Sequence, residues 1–346
     1  MHIVNLISGK DLGGPKQAFV HYSDNLRHLG QQVTSVIRPG AQVQGLLDQR
    51  QLDYQFLDYP RTRLLGLKHI AQSRLKKLLT DTQADVLLVH KPVDAALARP
   101  VLPAGCKLVL VLHSYTAKGM HAADVILPVS KPVEDFVRQQ GFQGPTLIMP
   151  NLVELDAQEP QSRPKSQPLA IMQMGVMRRT KGQDLLIEAL AKLHKGGNDF
   201  HLNLAGKGRW FKKINTLIDS HNLRAKVSMR NWVSNAERDD YVDACDVFCL
   251  TSRSETFGMV VIEAMARKRL VLATRCGGPE GIIEHGVNGL LADINAEAIA
   301  AQLKVLDEMH DEQYQAMCEA AYQHVVDNFS TQPFRQRLAQ LLDLLA

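Results

Sequence analysis

Two glutamates, Glu255 and Glu263, stand eight residues apart in the segment SRSETFGMVVIEAMA (252–266). Glu263 interrupts an apolar run that otherwise predicts a helix packed in a core. An ionised carboxylate is costly to bury alone, so Glu263 requires a partner. A salt bridge to a neighbouring helix would supply one. A sugar with vicinal hydroxyls would also do so, because a carboxylate accepts two hydrogen bonds from a diol.

Three cations in the loop GVMRRTKG (175–182) form a second group of candidates: Arg178, Arg179 and Lys181. The loop joins a predicted strand to a predicted helix, and a helix N-terminus offers N–H groups without partners and the positive end of a dipole. This pattern suits a diphosphate that binds without a metal ion, although cations alone also fit a solvated loop. The chain contains no Asp-x-Asp motif, so we expect no metal at this site.

Strand-like apolar runs alternate with helical patterns along almost the whole chain, which is typical of parallel sheets covered on both faces. In the first half these runs are 2–8, 31–39, 84–90, 107–113 and 123–130. In the second half they are 168–175, 200–206, 226–232, 246–252 and 270–275. Residues 154–168 contain three prolines and no hydrophobic periodicity, which predicts a linker.

The sequence therefore predicts an α/β fold with two Rossmann-like, doubly wound domains that face each other across a cleft. The first domain would cover residues 1–153 and the second residues 169–329. A length of 346 residues also favours two domains. The last helix, about 330–346, has an apolar face, and we expect it to pack back onto the first domain.

The composition bounds the class of protein. An apolar fraction of 45% and a charged fraction of 22% are typical of soluble globular proteins, and a formal charge of +4 argues against a nucleic-acid partner. Five cysteines without metal-ligand spacing favour a reducing compartment. The chain begins with a strand pattern rather than a signal peptide, and no apolar run approaches 18 residues. We therefore expect a cytoplasmic protein.

Ligands of open α/β sheets bind beyond the carboxyl ends of the strands. The residues that follow the predicted strands are therefore the candidates for ligand binding. They are Gly13 and Gly14, His113, Asn151, 178–182, 206–208, 255–258 and 277–279.

The segment 252–291 resembles the signature of the family 4 retaining glycosyltransferases of GT-B fold. The resemblance rests on Glu-x7-Glu with Phe-Gly between the glutamates, on the following Glu-Ala-Met-Ala, and on GGPEGIIEHGVNGLL (277–291). Weaker pieces in the family's order extend it over nearly the whole chain: the N-terminal Gly-Gly, Lys-Gly before a helix, ADVILPVS, IMPN and LNLAGKG.

The resemblance implies roles for single residues. Glu255 would contact the hydroxyls of the donor sugar, and Glu263 would bind the ribose of the nucleotide. Lys181 would neutralise the leaving diphosphate, and His113 would lie near the anomeric centre and the acceptor. His113, Glu255 and Lys181 are thus the catalytic candidates. The other implied donor-binding residues are Gly13, Gly14, Arg178, Arg179, Gly206, Trp232, Val233, Thr256, Phe257, Gly258 and Met259.

Two positions depart from the family's pattern. The family often carries Gly-Arg where this chain has Gly175-Val176, so Arg178 or Arg179 would have to supply the charge from further along the loop. The family's Asn-Gly after the last strand of the first domain is Asn151-Leu152 here, which puts a tight backbone turn in doubt.

The implied reaction is transfer of a sugar from a nucleotide-diphosphate-sugar with retention of configuration, without a metal or other cofactor. Departure of the diphosphate would leave an oxocarbenium-like centre, and the departing phosphate would act as the base for the acceptor hydroxyl. No second carboxylate nucleophile is needed, which differs from the two-carboxylate scheme of retaining hydrolases.

The acceptor is expected to bind the first domain. The resemblance implies a glycan or lipid-linked acceptor, with lipopolysaccharide core or surface polysaccharide as the favoured class. The segment RTRLLGLKHIAQSRLKKLL (61–79) has six Lys or Arg and no acid. As an amphipathic helix it would suit the anionic inner leaflet, or it would pack on the sheet with a solvated basic face.

Other functions remain as alternatives. A GT-B sugar-nucleotide epimerase would want further carboxylate bases, and a phosphorylase would want a pyridoxal lysine site. A dinucleotide-dependent oxidoreductase would rest on 206–211, which lacks the third glycine and has Trp-Phe in the turn. A non-catalytic sugar-binding protein of the same fold would have no need of both glutamates and Lys181.

Overall fold

The computed structural model describes residues 1–11, 13–58, 65–231 and 235–346. The chain divides into two compact units: unit 1 contains Met1–Leu152 and Thr331–Ala346, and unit 2 contains Val153–Ser330. Each unit is built on a six-stranded sheet whose paired strands all run parallel. The predicted α/β class with two Rossmann-like sheets is confirmed.

The sheet of unit 1 has the strand order β3-β2-β1-β4-β5-β6. Its strands are β1 (His2–Ile7), β2 (Gln32–Ile37), β3 (Tyr54–Phe56), β4 (Val86–Val89), β5 (Lys107–Leu112) and β6 (Val125–Pro128). Its helices are α1 (Gly14–His28), α2 (Gln44–Gln49), α3 (Leu65–Asp81), α4 (Pro92–Ala98), α5 (Lys131–Gln139) and the last helix of the chain, α12 (Thr331–Leu345).

The sheet of unit 2 has the strand order β12-β11-β10-β7-β8-β9. Its strands are β7 (Leu169–Met174), β8 (Phe200–Ala205), β9 (Val227–Arg230), β10 (Val247–Leu250), β11 (Leu270–Thr274) and β12 (Leu290–Ala292). Its helices are α6 (Gln183–Lys195), α7 (Phe211–Ser220), α8 (Asn235–Ala244), α9 (Met259–Met265), α10 (Ala296–Glu308) and α11 (Asp311–Phe329).

The last helix of the chain packs on the first helix of unit 1. The Phe334 ring meets the Tyr22 ring edge-on, with centroids 5.2 Å apart, and both side chains are buried. The Arg335 Nε donates to Asn25 Oδ1 at 2.7 Å. The apolar face that the sequence shows in this helix therefore completes the core of unit 1.

The predicted linker 154–168 forms no helix or strand and belongs to unit 2. The Lys165 ammonium donates to the carbonyl oxygens of Leu306 and Met309 at 2.7 and 2.5 Å, at the C-terminal end of α10. Arg163 pairs with the buried carboxylate of Asp246 at 2.8 Å. These contacts attach the segment to unit 2, so the proline-rich stretch is an extended segment bound to that unit rather than a free linker.

The basic segment 61–79 lies partly in α3, while its residues 61–64 lie outside the described residues. Ala71, Leu75 and Leu79 are buried in unit 1, whereas the side chains of Lys76 and Lys77 are exposed. Part of the apolar face of α3 is thus covered by protein, whereas Ile70 is 45% exposed and the basic side chains are solvated. In the described part of the chain, no helix has both the length and the apolarity that a membrane crossing requires.

Candidate functional site in unit 2

The candidate residues of unit 2 lie on four loops that each follow a parallel strand. These loops follow β7 (175–182), β8 (206–210), β10 (251–258) and β11 (275–281). Because the strands are parallel, their carboxyl ends meet at the same edge of the sheet. The strand order places β7 between β10 and β8, so the loop after β7 has the loops after β10 and β8 on its two sides.

The catalytic candidates Lys181 and Glu255 are in direct contact. The Lys181 ammonium lies 2.5 Å from Glu255 Oε2, although the two residues are 74 positions apart. Their side chains are 24% and 18% exposed, so the pair is accessible to a ligand yet partly shielded from water. A shielded pair of opposite charges attracts more strongly than one in bulk water.

A glycine brings the two loops together. Gly182 has a left-handed φ of +62°, and a Cβ there would lie 1.7 Å from the Thr251 carbonyl oxygen. The Thr251 hydroxyl in turn donates to the Gly182 carbonyl oxygen at 2.8 Å. The Gln173 side chain of β7 donates to Thr251 Oγ1 at 2.9 Å and to the Lys181 carbonyl oxygen at 3.3 Å. The backbone on both sides of the ion pair is therefore fixed by buried hydrogen bonds.

Arg253 adds a second connection between the same loops. Its guanidinium pairs with both carboxylate oxygens of Asp184 at 2.8 Å, and it donates to the Arg179 carbonyl oxygen at 2.7 Å. Its amide donates to the Thr180 carbonyl oxygen at 2.8 Å. A bidentate pair of this kind fixes orientation as well as distance. Arg253 is not predictable as a site residue from the sequence, where its only signal is its position two residues before Glu255.

The loop after β10 is also joined to the loop after β11. The Glu255 amide donates to the Cys276 carbonyl oxygen at 3.0 Å, and the Gly278 amide donates to the Glu255 carbonyl oxygen at 2.8 Å. A Cβ on Gly278 would lie 2.4 Å from the backbone of Phe257. The backbone of Glu255 is thus held on both sides, and its carboxylate is directed by a fixed scaffold.

The segment 256–259 leads into α9. Gly258 has a left-handed φ of +102° and directly precedes Met259, the first residue of the helix. Phe257 is buried and meets the Phe329 ring edge-on, with centroids 5.8 Å apart. Thr256 lies between this anchor and Glu255. The first amides of a helix have no acceptor within the helix, so the amides at this turn are oriented for an external acceptor.

Glu263 lies in α9, and its side chain is 17% exposed. Burial raises the pKa of this carboxyl, and the Asp239 carboxylate raises it further, whereas the Arg238 guanidinium lowers it. Arg238 Nη1 lies 3.3 Å from Glu263 Oε1 and belongs to the neighbouring helix α8. A salt-bridge partner on a neighbouring helix is therefore present, but the contact is long and Arg238 also pairs with Asp239 at 3.1 Å.

The remaining donor-binding candidates of unit 2 are placed as follows. Arg178 and Arg179 are exposed on the loop after β7. Gly206 has a φ of +152°, and a Cβ there would lie 1.9 Å from the Gly175 carbonyl oxygen. Gly206 therefore permits the close approach of the loops after β7 and β8. Trp232 and Val233 lie outside the described residues.

The candidates of unit 1 are Gly13, Gly14 and His113. Gly14 is the first residue of α1 and Gly13 precedes it, so both lie at the carboxyl end of β1. His113 follows β5 and is half-buried, with Nε2 3.1 Å from Nδ1 of His90, which follows β4. Burial lowers the pKa of His113 to about 4, so the imidazole is neutral at physiological pH.

The part of the chain that carries this site is similar to known glycosyltransferases. Residues 156–324 match the family model described as "Glycosyl transferases group 1". The chain is 26% identical to the lipopolysaccharide core biosynthesis glycosyltransferase LpsE of Rhizobium meliloti (strain 1021), over 99% of this chain and 99% of that protein.

Solved structures show the same fold. Anabaena Alr3699/HepE in complex with UDP has a TM-score of 0.86 at 18% identity and covers 99% of this chain and 100% of that one. The same protein in complex with UDP-glucose has a TM-score of 0.82 at 18% identity, with the same coverage. At this identity the likeness shows the fold alone, which is GT-B.

Proposed function

We propose that this chain is a group 1 glycosyltransferase of GT-B fold, related to lipopolysaccharide core biosynthesis enzymes. In this proposal it transfers a sugar from a nucleotide-diphosphate-sugar with retention of configuration. The acceptor in this proposal is a glycan or a lipid-linked glycan of the lipopolysaccharide core or surface polysaccharide. The proposal includes metal independence, because the chain contains no Asp-x-Asp motif.

The contact between Lys181 and Glu255 carries the proposal. A carboxylate that accepts hydrogen bonds from sugar hydroxyls and a cation that neutralises a leaving diphosphate must act on adjacent parts of one donor. The two charged groups lie 2.5 Å apart on loops that buried hydrogen bonds fix in place. Without a ligand each is the partner of the other, so neither charge is left uncompensated in a partly buried site.

In the proposed mechanism the protein stabilises charge that develops on the leaving group. Lys181 and the amides at the start of α9 receive the diphosphate as its negative charge grows, and preorganised donors of this kind require no rearrangement during the reaction. Glu263 binds the ribose and Glu255 orients the sugar. The departing phosphate accepts the proton of the acceptor hydroxyl, and the new bond forms on the face that the diphosphate leaves.

The membrane contact in the proposal is electrostatic. Ala71, Leu75 and Leu79 of α3 are buried in unit 1, so in the described part of this helix the exposed basic side chains and the half-exposed Ile70 are available to anionic headgroups. Each basic residue near an anionic surface contributes about 1 kcal/mol, and this contribution falls with salt. The proposed location is the cytoplasm, because the five cysteines are unpaired buried thiols and the inner leaflet is the anionic surface.

The test is a panel of nucleotide-diphosphate-sugars with different bases and sugars, assayed with a chelator present. Calorimetry identifies the nucleotide that binds, and NMR of the reaction mixture identifies the product and its anomeric configuration. We expect one donor to bind and to release its sugar slowly, with the configuration retained. A product with an inverted anomeric centre would refute the retaining mechanism.

The same experiment separates the alternatives. An epimerase would convert the nucleotide-sugar into its epimer without releasing free sugar. A non-catalytic sugar-binding protein would bind the donor and leave it intact during prolonged incubation. The variant Glu255→Gln is expected to abolish sugar release, whereas Glu297→Gln, which removes a charge from an exposed pair with Lys192 in the same unit, is expected to leave it unchanged.

A further inference from the structure

We infer that Asn5 and His90 are positioning residues that fix the tautomer of His113, with the hydrogen on Nε2 and the lone pair on Nδ1. Any hydrogen bond that His113 makes through Nδ1 to a substrate hydroxyl is then made as an acceptor. The meaning of this tautomer for transfer rests on the proposed function, but the tautomer itself is a property of the protein without substrate.

The hydrogen bonds of Asn5 fix the orientation of its side-chain amide. Asn5 lies in the middle of β1 and is fully buried. Its Nδ2 lies 2.9 Å from the carbonyl oxygen of Phe19 and 2.9 Å from the hydroxyl of Ser23, both in α1. A backbone carbonyl oxygen can only accept, so the atom that faces Phe19 must be the NH2 group. The Oδ1 of Asn5 therefore points in the other direction, towards His90.

The orientation of the Asn5 amide determines which nitrogen of His90 carries the hydrogen. Its Nε2 lies 3.0 Å from Asn5 Oδ1, and this oxygen has only lone pairs, so Nε2 must carry the hydrogen. The ring is 2% exposed and is enclosed edge-on by the rings of Phe19 and Tyr22, with centroids 5.6 and 5.4 Å away. Burial lowers the pKa of His90 well below its usual value, and a second positive charge beside it, on His113 or Lys16, would lower it further. A neutral imidazole has one N–H, so Nδ1 of His90 has a lone pair.

The tautomer of His90 determines the tautomer of His113. The two imidazole rings are nearly parallel, at 14° with centroids 5.4 Å apart, and Nδ1 of His90 lies 3.1 Å from Nε2 of His113. An acceptor nitrogen on His90 requires a donor on His113, so Nε2 of His113 carries the hydrogen. Since burial keeps this ring neutral as well, its Nδ1 has the lone pair.

The opposite arrangement would create a conflict in a buried region. If Nδ1 of His113 carried the hydrogen, its Nε2 would have a lone pair facing His90. His90 would then have to donate through Nδ1, and its own Nε2 lone pair would face Asn5. Asn5 would have to reverse its amide and place Oδ1 against the carbonyl oxygen of Phe19 at 2.9 Å. Unsatisfied buried polar atoms are strongly disfavoured, so the chain from Asn5 to His113 selects one tautomer.

This tautomer restricts what His113 can do in the reaction. A neutral ring with a lone pair on Nδ1 accepts a hydrogen bond from a sugar hydroxyl, but it has no proton on that nitrogen to give to a departing phosphate. A hydrogen bond from a substrate hydroxyl to this nitrogen would orient that hydroxyl. General-acid catalysis through Nδ1 is excluded by the same hydrogen-bond chain.

The experiment is 15N NMR of the histidine rings in the protein without substrate. In a neutral imidazole the nitrogen that carries hydrogen and the bare nitrogen give separate signals, and His90→Gln and His113→Gln assign the two rings. We expect both rings to be neutral with the hydrogen on Nε2. A hydrogen on Nδ1 of His113, an even mixture of tautomers or an imidazolium at pH 7 would overturn the inference.

A pair of variants tests the cause. Asn5→Ala removes the acceptor of His90 and is expected to give His113 a mixture of both tautomers. Ser35→Ala is the matched control, because Ser35 pairs with Asn5 across the β1–β2 ladder and donates to Ser23 at 2.8 Å at the far end of the same polar chain. It is expected to leave the tautomer unchanged. A single tautomer of His113 in folded Asn5→Ala would contradict the role of Asn5, and if that variant does not fold, the unmodified protein still decides the tautomer.

Addition of the donor that the panel identifies separates this inference from the proposed function. A change in the Nδ1 signal of His113, with that of His90 unchanged, is expected if a substrate hydroxyl binds there. If no nucleotide-sugar is turned over, the proposed function fails while the tautomer assignment stands on the substrate-free spectrum.

Discussion

The substitution Glu263→Gln separates the two explanations for a carboxylate inside the apolar segment of α9. It removes one charge and keeps the shape of the side chain. Burial raises the pKa of Glu263, so the folded state holds its proton to higher pH than the unfolded chain does. The folded state therefore loses stability as the pH rises from the unfolded value of about 4.3 through the folded pKa. At neutral pH the ionised Glu263 opposes folding, and glutamine removes that penalty.

The opposing contribution is the contact with Arg238. It is a single pair at 3.3 Å between side chains that are 25% and 17% exposed. A pair with this exposure contributes about 1 kcal/mol or less. We therefore expect the free energy of unfolding of Glu263→Gln at pH 7 to equal that of the parent or to exceed it by about 1 kcal/mol. The difference should shrink at pH 4, where the carboxyl is largely protonated in both states.

Nucleotide affinity is expected to change in the opposite direction. In the proposed function the Glu263 carboxylate accepts hydrogen bonds from the ribose diol, and a hydrogen bond to a charged group contributes about 1.5–3 kcal/mol. Glutamine keeps one oxygen acceptor and loses the charge. The loss of one such bond corresponds to about 10-fold to 100-fold weaker binding.

The assay combines urea unfolding at pH 4 and pH 7 with calorimetric titration of the nucleotide. Glu297→Gln is the control, because Glu297 is 71% exposed in its pair with Lys192, and it should change neither quantity beyond the error of the measurement. If Glu263→Gln loses stability at pH 7 and binds nucleotide as the parent does, the carboxylate serves the salt bridge to α8, and its assignment to the ribose is refuted.

Three further predictions concern the loops and the cofactor requirement. Lys181→Met is expected to lower the rate in single-turnover assays about 10²–10³-fold, because it removes one preorganised charge near the leaving group. The control Lys192→Met removes an exposed ion-pair lysine and should leave the rate unchanged. Equal rates for the two variants would contradict the role of Lys181. Gly206→Ala is expected to lower the free energy of unfolding in urea by about 2–4 kcal/mol, because a Cβ at φ +152° would lie 1.9 Å from the Gly175 carbonyl oxygen. The control Gly197→Ala, at φ +87° with no atom within 4 Å, should lose only about 1 kcal/mol, and equal losses would show that the close approach is unimportant. Excess chelator is expected to leave turnover unchanged; a loss of turnover that added divalent metal restores would contradict metal independence.

The strands of both sheets were predictable from sequence because a parallel strand covered on both faces is a continuous apolar run. The run 107–113, for example, contains β5 (Lys107–Leu112) and ends at His113. The edge strands β3 and β12 are three residues each and were not predicted. Three residues are too few to show a period, and their place in the sheet depends on the neighbouring strand rather than on their own composition.

The site was predictable only in part, for a related reason. The family resemblance identifies Lys181 and Glu255 as catalytic candidates. No sequence spacing, however, predicts a contact between residues 74 positions apart. That contact depends on the strand order, which places β10 beside β7, and on the hydrogen bonds of Gln173 and Thr251 beneath the loops. Arg253 escaped prediction because its partner Asp184 lies in the first turn of α6, and only the folded backbone brings the two together.

The glycines of the site show why a motif is more than a set of ligand contacts. The family resemblance implies a donor-binding role for Gly206. In the structure Gly182, Gly206 and Gly278 each face another segment of backbone, with a hypothetical Cβ 1.7, 1.9 and 2.4 Å from its atoms. These close approaches hold four loops against one another, and they place Lys181 beside Glu255 before any ligand binds. A side chain at one of these glycines would therefore separate the loops first and weaken donor binding as a consequence, so the glycines serve the charged pair through the backbone.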